Sequence, residues 1–141
     1  MDSEEQKAHV ARSFVAALPH CVALGMRMER VADGEAVISM PWAPELVGDA
    51  RTGVIHGGAV SALMDTSGGA AVMCHPEATL ATATLDLRID YMRPARPGDR
   101  ITATARCFHI TRSVAFVRAE AADAEGLVAV ANGAFTVERR R

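Results

Sequence analysis

Gly53-Val54-Ile55-His56-Gly57-Gly58-Ala59-Val60-Ser61-Ala62-Leu63-Met64-Asp65-Thr66-Ser67-Gly68-Gly69-Ala70-Ala71-Val72-Met73-Cys74 is the stretch around which the rest of the chain is organised. Across positions 58–74 small or apolar residues fall on every face. That pattern predicts a helix buried on all sides rather than a surface helix with one apolar stripe. Asp65 is the only charged residue in the run. A charge inside such a helix is expensive unless something uses it, which makes Asp65 the first functional candidate. Gly57 and Gly58 stand at the predicted helix start, where backbone N–H groups have no partner within the helix. Glycine lets a ligand atom come close to those donors, and the helix dipole adds positive potential at the same end, so the pair forms a candidate oxyanion site. His56, just before them, either orients a carbonyl or fixes the turn through its ring nitrogens.

The composition of the 141-residue chain suits one domain spanning 1–141. Net charge is -2, with 23% charged and 50% hydrophobic residues, an ordinary globular balance that argues against disorder. There is no basic excess, and one Trp and one Tyr leave little for base stacking, so nucleic acid is not an expected partner. The run Arg139-Arg140-Arg141 reads as a solvated tail. Met1-Asp2-Ser3-Glu4-Glu5 is acidic where a secretory signal would be basic and then apolar, and no apolar run reaches the ~18 residues of a membrane span. The expected setting is cytoplasmic, with no membrane partner. Cys21, Cys74 and Cys107 are odd in number and widely separated, and they read as buried free thiols. No CxxC pair or zinc-spaced His/Cys cluster occurs, so neither a metal nor a cofactor is expected.

In chain order, residues 3–18 fit a short amphipathic helix, with Ser3 as its N-cap, acidic residues in the first turn, Val10, Phe14, Val15 and Leu18 on one face, and Pro19 as its end. Residues 22–40 hold two strand-like runs about Ala32-Asp33-Gly34-Glu35, where Asp-Gly signals a hairpin. Trp42, in the loop that follows, either lines a ligand entrance or caps the core. Beyond the central helix Ala83, Leu85, Leu87, Ile89 and Tyr91 alternate with Thr82, Thr84, Asp86, Arg88 and Asp90, the mark of a half-buried strand that puts Thr84 on the polar face. Further strands are predicted at 101–109, 114–121 and 127–137, and the short connections favour antiparallel neighbours. The fold class is therefore α+β, five to six antiparallel strands curled around one long helix, with a short N-terminal helix in front.

One sheet does not cover a helix that is apolar all round, so a second copy of the chain is expected to complete the cover. Spacing leads to the same place. Asp65 lies eight residues after Gly57, roughly 12 Å along a helix axis, whereas a base and an oxyanion donor must both meet one reacting centre at about 3 Å. Two antiparallel helices in a dimer would bring Asp65 of one chain beside Gly57 of the other and form two equivalent composite sites.

The pattern Gly53-x-x-His56-Gly57-Gly58-x-x-x-x-Leu63-x-Asp65 resembles the signature of the hotdog-fold acyl-CoA thioesterases of the PaaI-type branch. Weaker likenesses lie at Tyr91-Met92-x-Pro94-Ala95, at Gly98-Asp99 and at Thr111-Arg112-Ser113-Val114-Ala115-Phe116. The resemblance implies a dimer with active sites at its interface and commonly a dimer of dimers, hence a homotetramer. It implies that the Gly57 N–H polarises a thioester carbonyl, that Asp65 acts as general base or nucleophile, and that Thr84 assists it. Gly58 would contribute to substrate binding, and Arg93 and Arg112 are candidates for coenzyme A phosphates, since guanidinium suits phosphate. One departure stands out: relatives often carry Asn or Gln six residues before the histidine, and this chain has Ala50. The expected activity is hydrolysis of an acyl-CoA, with an aryl acyl group among the candidates. The alternatives are a non-catalytic acyl-CoA-binding or sensing protein, and a hotdog hydratase or dehydratase.

Overall fold

The computed structural model describes residues 3–77 and 81–138. It begins with α1 (Ser3–Ala17) and α2 (Pro19–Ala23), followed by β1 (Arg27–Ala32) and β2 (Glu35–Met40). A single 3-10 turn (Pro44–Leu46) and two short strands, β3 (Val47–Asp49) and β4 (Val54–Ile55), lead into the long helix α3 (Gly57–Met73). Then come β5 (Thr84–Tyr91), β6 (Ile101–Ile110), β7 (Val114–Asp123) and β8 (Gly126–Thr136). Six strands form one antiparallel sheet in the order β1-β2-β6-β7-β8-β5, with β1 and β5 at its edges. This is the α+β layout predicted from the sequence.

Period-two alternation builds the sheet. Ile101, Ala103, Ala105 and Cys107 of β6, then Ala115, Val117, Ala119 and Ala121 of β7, turn inward and are buried. With Ala36, Ala129 and Ala131 they pave the inner face largely with alanine. Side chains this small let α3 come close, and at Gly68 the approach has no slack: a Cβ there would stand 2.7 Å from Phe135 Cζ. Gly68 is glycine for that helix-to-sheet contact.

Three sequence expectations are corrected in detail. Pro19 does not merely end α1; it opens α2 at the first helical position, where its fixed φ suits a helix and its missing N–H costs nothing. Val22 is consequently helical and exposed, and the first strand starts only at Arg27. As expected of one sheet, the chain does not enclose the central helix on every side. Ala59, Val60, Leu63, Met64, Ser67, Gly68 and the 70–72 turn are buried, but Gly57 and Gly58 are exposed and Ser61, Ala62, Asp65, Thr66 and Gly69 only half-covered. The third correction concerns β5 and is taken up with the site.

Val15 is buried and Phe14 and Leu18 pack on the core from α1. The Ser3 cap, the side chain of Val10 and the tail 139–141 lie outside the described residues. Asp33-Gly34 makes the β1–β2 turn, with Gly34 at φ +67° and its N–H and C=O tied to Cys74 O and Cys107 N. All three cysteines are free and buried, and burial pushes the Cys21 and Cys107 thiols up.

Candidate active site

The loop before α3 is fastened at several points. Trp42 is half-buried against the core and its indole N–H donates to Gly53 O at 2.8 Å, so it braces the loop. The His56 N–H donates to Leu46 O at 2.8 Å. His56 is then the N-cap of α3, with extended backbone, its carbonyl accepting from Ala59 N at 2.9 Å and its Nδ1 accepting from Gly58 N at 2.8 Å. An accepting Nδ1 leaves the proton of the neutral ring on Nε2. Of the two roles open to His56 in the sequence, the geometry displays the turn-fixing one.

That cap separates the two glycines. The Gly58 N–H is engaged by His56, and a Cβ at Gly58 would stand 2.9 Å from Nδ1, so this glycine exists to admit the imidazole. The Gly57 N–H, at the head of the helix, is the donor left for a ligand. A Cβ at Gly57 would meet only the Tyr91 ring, at an ordinary 3.7 Å. The Gly57 carbonyl accepts from Tyr91 OH at 2.9 Å and from Ser61 Oγ at 3.2 Å, and the two hydroxyls also touch each other.

Two turns further along, Thr84 Oγ1 donates to Asp65 Oδ1 at 2.6 Å. Strict alternation would turn Thr84 to the face opposite Leu87 and Tyr91. It does not, because β5 carries a β-bulge: Thr84 pairs with Phe135 but Asp86 with Ala134, so Leu85 is an extra residue. The bulge changes the parity. Thr84 shares the face of buried Phe135, and Leu87, Ile89 and Tyr91 share the face of Gly133, Ala131 and Ala129. Leu85 itself is 59% exposed. The sequence reading named Thr84 but placed it on the wrong face, and it missed the hydroxyl roles of Tyr91 and Ser61. The spacing of Ser61, four residues after Gly57, was the available signal for the second of these.

The two arginines lie apart. Arg93 is clamped by Asp123, with Nη1 to Oδ2 at 2.8 Å and Nη2 to Oδ1 at 2.5 Å, and it also donates to Gly126 O. Those bonds and the N–H groups of Arg96 and Glu125 hold the Asp123 carboxyl well below the usual carboxylate range. Arg112 is exposed in the β6–β7 turn, at the end of the sheet where Thr84 begins β5. In the loop ahead of the site, Asp49 pairs with Arg51 at 3.5 Å and Ala50 is exposed between them. A pocket of about 280 Å³ abuts the helix start, lined by Leu24, Leu46, Val47, Gly58, Ala59 and Ala62, with His20, Glu45 and His56 adding polarity. Among the described residues no group of three or more His, Cys, Asp or Glu is placed to hold a metal ion, and no helix is long and apolar enough to cross a membrane.

Residues 52–130 match the profile of the thioesterase superfamily. The chain is 29% identical over 140 residues to the medium/long-chain acyl-CoA thioesterase YigI of Escherichia coli, covering 90% of each protein. Among solved structures it is similar to the Escherichia coli PaaI protein of the phenylacetic acid degradation operon, with a TM-score of 0.83 and 26% identity over 96% of both chains. It is also similar to the phenylacetic acid degradation protein PaaI of Thermus thermophilus, with a TM-score of 0.76 and 30% identity over 85% of this chain and 99% of that one.

Proposed function

The chain belongs to the thioesterase superfamily and is a hotdog-fold acyl-CoA thioesterase of the PaaI type, and we propose that it works as a dimer whose two active sites each draw on both copies. The observation that carries this reading is the pair Asp65–Thr84 on the same uncovered flank of α3 as Gly57, but two turns away. One helix cannot bring both to one carbonyl; two antiparallel helices across a two-fold axis can. Strand β5 supports the same assembly. Its outer edge is an unpaired ladder, and Leu85, Tyr91 and Met92 beside it are exposed, a surface that proteins ordinarily cover.

In this reading the thioester carbonyl rests on the Gly57 N–H of one subunit, and the negative charge that develops on its oxygen is met by that donor and the helix dipole. Asp65 of the partner subunit, oriented by Thr84, takes a proton from water as the water oxygen adds to the carbonyl carbon. Collapse of the adduct breaks the C–S bond, releasing the carboxylic acid and coenzyme A, whose thiolate recovers the proton. In the nucleophilic variant Asp65 itself adds and the C–S bond breaks to expel the coenzyme A thiolate; water then hydrolyses the mixed anhydride, and the proton it gives up goes to the thiolate. The pocket beside Gly58 offers space for the acyl group. The reading leaves Arg112 for coenzyme A phosphates and assigns Arg93 to Asp123. Engagement of His56 Nδ1 in the cap counts against a hydratase, which would ask that histidine for acid–base work. The whole chain acts as one domain, the assembly is a dimer of dimers, and three buried free thiols fit the cytoplasm.

Thiol release from a panel of short-chain, long-chain and aryl-acetyl CoA thioesters tests the reading. Wild type should hydrolyse at least one member, and Asp65→Asn, isosteric and still able to meet Thr84, should be inactive while folded and dimeric. Full hydrolysis by Asp65→Asn overturns the assignment of Asp65, and acyl-CoA binding without turnover by wild type returns the protein to the sensing class.

A further inference from the structure

We infer that Tyr91, the only tyrosine of the chain, is a positioning residue that fixes the Gly57 N–H on which the thioester carbonyl would rest. This deepens the function proposed above and rests on it. A helix that begins Gly-Gly has no side chains with which to hold its own first turn, and glycine has more backbone freedom to lose than any other residue. A donor useful for catalysis must nonetheless be aimed before the charge develops.

The structure meets this need with the side chains of residues other than the two glycines. The peptide unit joining Gly57 to Gly58 is gripped at both ends: its carbonyl oxygen accepts from Tyr91 OH at 2.9 Å and from Ser61 Oγ at 3.2 Å, and its N–H donates to His56 Nδ1 at 2.8 Å. The preceding peptide unit carries the Gly57 N–H, and it is held by its own carbonyl, His56 O, which accepts from Ala59 N at 2.9 Å. With the planes on both sides of its Cα fixed, Gly57 has no freedom left, and its N–H points in one direction. Of these holds only Tyr91 comes from another element. Its ring also lies against Gly57, 3.7 Å from where a Cβ would be.

That element is β5, which also supplies Thr84 to Asp65. One edge strand thus delivers one hydroxyl to the acid and another to the donor, both from one face. Seven positions separate Thr84 from Tyr91, an odd interval that would put them on opposite faces of a regular strand. The bulge at Leu85 is what brings them to the same side.

Tyr91→Phe keeps the ring and removes the hydroxyl. It should lower kcat about tenfold, the scale of one lost hydrogen bond, with KM for the same acyl-CoA within about twofold and the melting temperature nearly unchanged. Ser61→Ala, an easy substitution in a helix, removes the second hydroxyl from the same carbonyl. Alone it should cost less, and combined with Tyr91→Phe it should cost more than the product of the two single effects, because each hydroxyl backs up the other. Wild-type kcat in Tyr91→Phe and in the double variant overturns the inference. So does a raised KM at unchanged kcat, which would make Tyr91 a substrate contact, or a lowered melting temperature with unchanged kcat per folded protein, which would make it structural. If Tyr91→Phe does not fold, wild-type kcat in Ser61→Ala overturns it instead. Hydrolysis retained by Asp65→Asn is a separate outcome: it removes the proposed chemistry and is read on a different variant.

Discussion

Asp123→Asn separates the two roles open to Arg93. The Asp123 side chain is 0% exposed, and each of its oxygens accepts twice: Oδ1 from Arg93 Nη2 and the Glu125 N–H, Oδ2 from Arg93 Nη1 and the Arg96 N–H. An asparagine keeps one acceptor oxygen and turns an NH₂ toward the other two donors, so two of the four bonds are lost. Bonds to charged groups are worth about 1.5–3 kcal/mol each, but the Arg93 side chain is 31% exposed and regains water, so a net loss of about 2–4 kcal/mol is expected. For a chain of this size that is roughly 10 °C in melting temperature. The pH dependence follows from the direction of the shift. The Asp123 carboxyl is held below its unfolded range of about 3.9, so its stabilisation is complete above that pH and is lost as pH falls below it. The gap between wild type and Asp123→Asn in chemical denaturation should therefore be widest from neutral pH down to about pH 5 and should narrow below about pH 4. KM for the acyl-CoA should not move. An unchanged melting temperature with a raised KM would refute the reasoning and return Arg93 to coenzyme A.

The remaining predictions concern glycines on α3. Gly58→Ala puts a Cβ 2.9 Å from His56 Nδ1, so the imidazole must leave its cap; the helix end should lose about 1–2 kcal/mol, and thiol release should fall with it. Gly57→Ala meets nothing closer than 3.7 Å, so it should keep its melting temperature while kcat falls more than KM rises, as expected if that N–H acts mainly on the transition state. Gly68→Ala drives a methyl group to 2.7 Å from the buried ring of Phe135 and should cost about 1–3 kcal/mol in urea denaturation. Adding Phe135→Leu should cost less than the two single losses summed, since it clears the space.

Periodicity carried the sheet and the long helix because both record which face is buried. It found β6, β7 and β8 to within two residues, and it found α3 to within one. It failed where a single residue changes the bookkeeping. A bulge is an extra residue with no composition of its own, and Leu85 looks like any apolar member of an alternating strand until its neighbours are paired with β8. Pro19 failed for a related reason: a proline reads equally as the end of one helix and the start of another, and only the chain's return toward β1 distinguishes them. Of the proposed site, His56, Gly57, Gly58 and Asp65 could be named from the sequence because local spacing places them together at or on one helix. Tyr91 was not, since its part depends on β5 lying beside the start of α3, a contact between residues far apart in the chain.

The open flank of α3 is the most informative feature of the fold. The composition of α3 asks for cover on every side, yet its own chain leaves a flank running from Gly57 through Ser61 and Asp65 to Gly69 half-open. A helix meant to face water there would carry charged residues at those positions; this one carries Gly, Ser, Ala, Thr and a single Asp. Small residues on an open flank permit close approach of another backbone, and the lone carboxylate among them already has its hydrogen-bond donor in Thr84. The edge of β5 is unpaired on the same side of the molecule. In the dimer proposed above, a second copy would cover this flank, where hydrophobic pattern exceeds what one chain buries and where the proposed chemistry lies.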